Sequence, residues 1–104
     1  MVEVKHIERL TNIAHCSGTS KRSPECKKCG SWINHWEKYT KNSLNSLECC
    51  CLCGFSLKEV GAHVKINGYK GEWIIPACKS CNSKGGNDVI VYEVDAVSAI
   101  QCEE

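Results

Sequence analysis

Nowhere does this sequence hold an apolar run long enough to cross a membrane, and Met1 to Leu10 lacks the uninterrupted apolar core of a secretory signal. Both absences lead to the expectation of a cytoplasmic, reducing compartment and no membrane partner, and they count against a secreted disulfide framework. Large aliphatics are scarce too. Leucine, isoleucine, valine and phenylalanine make up only about a fifth of the chain, near the level at which unaided folding fails. Basic residues are missing from one end. All 13 lysines and arginines fall in residues 1–86, where seven acids leave a net +6, while residues 87–104 hold five acids and no base.

What the chain has in excess is cysteine, ten in 104 residues, and most of it is paired: Cys26-x-x-Cys29-Gly30, Cys50-x-x-Cys53-Gly54 and Cys78-x-x-Cys81. A two-residue gap lets two thiolates point into one small turn, with backbone N–H groups directed at the sulfurs, and a following glycine takes the positive φ such a knuckle needs. In a reducing compartment this pattern reads as zinc ligation. Structural zinc adds on the order of 10 kcal/mol to the folding of small peptides, enough to offset the thin core. The metal-free chain is therefore expected to be largely unfolded. At this length the chain is expected to form a single compact unit over 1–104, with an N-terminal knuckle-and-helix subregion (1–45) and a second zinc subregion (46–104).

Periodicity suggests the elements. Ile7, Leu10 and Ala14 at helical spacing predict a short helix over Val4 to Ala14. A polar loop leads from His15 to Pro24. Ser31 can cap a helix to about Tyr39, whose Trp32, Trp36 and Tyr39 share a face and are expected in the core. Gly61 to Ile66 alternates as a strand, Asn67 to Gly71 turns, and Glu72 to Pro76 returns. Gly85 and Gly86 end any helix opened by the last cysteine pair. Val89 to Val94 reads as a strand, and Asp95 as the cap of a helical turn through Ile100.

Knuckle, hairpin and a cysteine pair opening a short helix form a treble-clef arrangement. Two knuckles joined by hairpins also describe a zinc ribbon. Cys50-x-x-Cys53, Ala62-His63-Val64 and Ile74-Ile75-Pro76-Ala77-Cys78-x-x-Cys81-Asn82-x-Lys84 together resemble the four-cysteine branch of the HNH endonucleases, over about residues 50–84. The resemblance implies a small α+β, zinc-stabilised domain with an HNH-like ββα-metal core, here extended at its N-terminus by a knuckle and a helix. It also implies His63 as general base and Asn82 as ligand of a catalytic divalent ion such as magnesium. Ala62 and Trp73 stand where that family usually has a metal ligand and an asparagine, so the catalytic set is incomplete.

A second zinc is expected at Cys26 and Cys29 with His35 and Cys16, His15 being the alternative to Cys16. His6, Cys49, Cys51 and Cys102 are left over, and Cys49 or Cys51 could replace a neighbour in the second knuckle. Lys21, Arg22, Lys27, Lys28, Lys38 and Lys41 surround the first knuckle, which suits a phosphate-facing surface. Two function classes follow: a zinc module that binds nucleic acid or a protein partner, and a small metal-dependent HNH nuclease.

Overall fold

The computed structural model describes residues 2–8, 12–15, 29–40, 49–54, 56–66, 68–84, 86–90 and 93–99. In chain order these form β1 (Val4–Ile7), β2 (Asn12–His15), α1 (Trp32–Thr40), β3 (Val60–Ile66), β4 (Trp73–Ala77), α2 (Lys79–Lys84), β5 (Gly86–Ile90) and β6 (Val94–Ser98). The six strands make one antiparallel sheet in the order β1-β6-β4-β3-β2-β5. The expected β3–β4 hairpin is its centre, and strands from 1–45 pair with strands from 46–104. Among the described residues no helix is long and apolar enough to cross a membrane.

Helix α1 starts where its cap is. The Asn34 N–H donates to Ser31 Oγ at 3.2 Å and the His35 N–H to the Ser31 carbonyl at 3.0 Å. Its buried face carries Trp32, His35, Trp36 and Thr40, so the aromatic stripe is core, with Tyr39 half-buried at its edge. Trp36 is fully enclosed: its Nε1–H donates to the Asp95 carbonyl at 2.7 Å, and Lys58 Nζ sits 5.1 Å from the ring centroid.

Register shows how α1 lies on the sheet. His63 faces Ile74, and Ala62 faces Ile75; partners directly opposite share a face, and neighbours along a strand alternate. Gly61, His63 and Ile74 therefore lie beneath α1. A Cβ on Gly61 would stand 2.8 Å from the Trp32 carbonyl carbon and 2.9 Å from the Ile33 nitrogen, so helix and strand meet backbone to backbone only because residue 61 has no side chain. On the other face Ala62, Val64, Ile66, Trp73, Ile75 and Ala77 are also buried. With both faces covered, the centre of β3 does not follow simple alternation, and Ala62, His63 and Val64 are buried in succession.

Two expected helices are strands. Val4 to Ala14 contains β1 and β2 instead: Val4 to Ile7 pairs with Val97 to Val94, and Ile13 to His15 pairs with Ile66 to Val64. Only Ile7 of β1 is buried, so the helical spacing had little burial behind it, while β-branched Val4, Ile7 and Ile13 fit a pleated strand. Asp95 caps no helix. It lies in β6, where it faces His6 of β1 and its carbonyl accepts the Trp36 Nε1–H, while β4 pairs with Val97 and Ser98 further along the strand. All five β6 residues are buried, and the Asp95 carboxylate is met by His6 Nδ1 at 3.0 Å. The strand expected over Val89 to Val94 divides into β5, ending at Ile90, and β6, starting at Val94.

Candidate metal centre

The second knuckle is a tight turn stitched to the hairpin. Cys50 donates its N–H to the Ser56 carbonyl at 2.8 Å and accepts the Gly54 N–H at its own carbonyl at 2.9 Å. Gly54 has φ of +74°, the left-handed conformation anticipated after a knuckle. The Cys51 N–H donates to the Pro76 carbonyl at 3.0 Å, which fixes the turn against β4. On the other side Cys78 leaves β4 and Cys81 follows within α2. Glu59, just before β3, accepts the Lys79 N–H at 2.9 Å and so caps the helix that carries Cys81. Twenty residues separate that pair, so no local pattern announces it.

These two turns bring Sγ of Cys50, Cys53, Cys78 and Cys81 within 4.8 Å of one another. Around an ion with four bonds of about 2.3 Å, sulfurs stand about 3.8 Å apart, so closing on a metal moves each inward by less than about 1 Å. Backbone donors already face the sulfurs. The Leu52 N–H is 3.4 Å from Cys50 Sγ, and the Cys81 N–H is 3.5 Å from Cys78 Sγ. Four soft donors drawn this close suit zinc, and a tetrahedral ion held by all four would have no position open for water. Cys49 and Cys51 are not part of the cluster. Cys51 is fully buried beside it, but its sulfur is not one of the four that converge.

Electrostatics gives the cluster a need for a cation. Burial pushes the Cys50 thiol up, against the pull of N–H groups from Cys78, Cys53 and Leu52. Cys81 is pushed up to about 12 by burial, then by hydrogen bonding to Cys78 and the charge of Cys50. Burial raises Cys51 as well. Crowded thiols cannot all ionise unless a positive charge sits among them, so metal binding at neutral pH must release protons.

The remaining candidates are differently placed. His63 is 2% exposed and lies under Trp32, ring centroids 5.4 Å apart and nearly perpendicular. Ala62, next to it, points to the opposite face, and Trp73 is buried with its Nε1–H donating to the Lys70 carbonyl at 3.0 Å. Asn82, half-buried on α2, lines a surface cavity of about 410 Å³ with Ser31, Trp32, Ile33, Glu59, Val60 and Gly61. His63 is not among that cavity's walls. Cys29 Sγ and His35 Nδ1 are brought to 3.9 Å. Lys38 is exposed in the last turn of α1. Cys16, Cys26, Lys21, Arg22, Lys27, Lys28, Lys41 and Cys102 lie outside the described residues.

Comparison with models of protein families, with curated proteins and with solved structures finds no match. The likeness to HNH proteins therefore rests on the chain's own residues.

Proposed function

We propose that this chain is a small zinc-stabilised module of treble-clef, HNH-like plan, which holds one structural zinc at Cys50, Cys53, Cys78 and Cys81 and works by binding nucleic acid rather than cutting it. The observation that carries the metal centre is the convergence of the four sulfurs from two knuckles held by one hairpin. The zinc's contribution is cohesion: it ties the turn before β3 to the helix after β4.

Support for nucleic acid comes from the charge division of the chain and from the basic residues Lys21, Arg22, Lys27, Lys28, Lys38 and Lys41 beside the first knuckle. Support for binding over cleavage comes from His63. A general base must reach a water or phosphodiester within hydrogen-bond distance, whereas this imidazole is enclosed between β3 and Trp32. Ala62 offers no ligand for a second ion.

The test is fluorescence anisotropy with short DNA and RNA duplexes across a salt series. Affinity should fall steeply with salt, and reversing charge at Lys27 and Lys28 should weaken it for all sequences alike. No binding at low salt would redirect the reading to a protein partner. Nicking of supercoiled DNA with magnesium or manganese that survives purification and vanishes in His63→Ala would establish the nuclease instead.

A further inference from the structure

The knuckle that the four-cysteine centre leaves unused ends beside a buried histidine. We propose that Cys29 and His35 are ligands of a second, independent zinc centre, in which His35 coordinates through Nδ1 and ties the start of α1 to strand β6.

One backbone feature of the first centre recurs. Gly30 follows Cys29 with φ of +86°, as Gly54 follows Cys53 with +74°, so the glycine after each of these cysteines takes the same left-handed conformation. Helix α1 begins two residues later. The Asn34 side-chain amide donates to the Cys29 carbonyl at 3.1 Å, which fixes the knuckle's exit against the first turn of the helix.

His35 is held as a ligand is held. Its Nε2 lies 3.1 Å from the Ser98 carbonyl. A carbonyl only accepts, so Nε2 carries the proton and Nδ1 presents its lone pair, the pairing of second partner and tautomer found for metal-bound imidazoles. That Nδ1 faces Cys29 Sγ at 3.9 Å. The separation is long for a bond between a thiol and a nitrogen, but it is close to the roughly 3.6 Å expected between sulfur and nitrogen ligands on one tetrahedral zinc. The ring cannot turn away. It is fully buried, with Trp32 edge-on at 5.0 Å and Tyr39 at 5.2 Å.

Spacing names Cys26 as the third ligand, and Cys16 supplies a fourth thiolate from the sequence. The donor set then differs from the first centre: three sulfurs and one nitrogen against four sulfurs. That difference makes the two centres separately visible.

The test is cobalt(II) titration of the metal-free full-length protein, because the visible ligand-field bands of cobalt report its donors, with metal content measured in parallel. Two equivalents should bind, one with a four-thiolate spectrum and one with a mixed sulfur and nitrogen spectrum. Cys29→Ser and His35→Ala should each lose one equivalent and keep the four-thiolate spectrum, and His35→Cys should restore two. A single equivalent with only the four-thiolate spectrum, or two equivalents retained in His35→Ala, would overturn the second centre while leaving the first intact. A single equivalent with the mixed spectrum would support it and remove the first. Should the variants fail to fold, the wild-type titration alone decides.

Discussion

The four-cysteine unit and the pairing of β1 with β6 hold the same sheet together by opposite means. In the first, two cysteine pairs from two short turns converge on one point, and their sulfurs lie within 4.8 Å before any metal is considered. In the second, a mostly exposed edge strand is held by backbone pairing and by His6, whose Nε2 is 2.8 Å from Glu93 and Nδ1 3.0 Å from Asp95. With zinc at its centre as proposed, the first should fail all at once when the ion is lost. The second depends on many weak contacts and should soften gradually.

The sharpest way to separate them is to remove a ligand. Cys78→Ser should abolish cooperative unfolding as followed by circular dichroism, because the roughly 10 kcal/mol supplied by a structural zinc is comparable to the whole stability of an ordinary small domain. His6→Ala should leave a cooperative transition.

Next in size is the packing between α1 and the sheet. Trp36→Ala removes a fully buried ring and its bond to the Asp95 carbonyl, and denaturant unfolding in zinc-buffered solution should show a loss of about 3–5 kcal/mol. Gly61→Ala adds one methyl group against the Trp32 and Ile33 backbone, and should cost about 1–3 kcal/mol in the same assay. A neutral Gly61→Ala would mean that the helix can lift from the strand freely.

The smallest expected effect is a pH dependence from His6. Its pKa is raised, first by the hydrogen bond to Asp95 and then by Glu93, against an opposing effect of burial. A raised folded-state value means that this stabilisation is complete below the unfolded value of about 6.5 and is lost as pH rises through the folded value. At saturating zinc, the stability difference between wild type and His6→Ala should therefore be largest well below the unfolded value and shrink as pH rises through the raised folded-state value. A difference that stays constant would show that His6 acts by packing alone.

The same contrast governs what the sequence made legible. Metal ligation needs short spacings, so the knuckles and the hairpin between them are written in Cys50 to Cys53, Gly68 to Gly71 and Cys78 to Cys81. Helix α1 is written in the Ser31 cap and the spacing of Trp32 and Trp36. The terminal strands are not, because their partners are remote: Val4 meets Val97, and nothing near either residue says so. β6 also contains Asp95 and Ser98, poor strand formers that are accommodated by His6 opposite Asp95, by the Glu3 N–H at Ser98 Oγ (2.8 Å) and by the pairing of Ser98 with Trp73. His63 reads equally well as a base or as a strand residue until α1 is laid across it. Its burial is a property of the Trp32 packing, not of the local pattern.

Anomalous diffraction at the zinc absorption edge tests the central claim most directly. The account predicts a peak enclosed by Sγ of Cys50, Cys53, Cys78 and Cys81 at about 2.3 Å from each. A well-ordered crystal with no peak there, or with Cys50 and Cys53 joined as a disulfide, would contradict it.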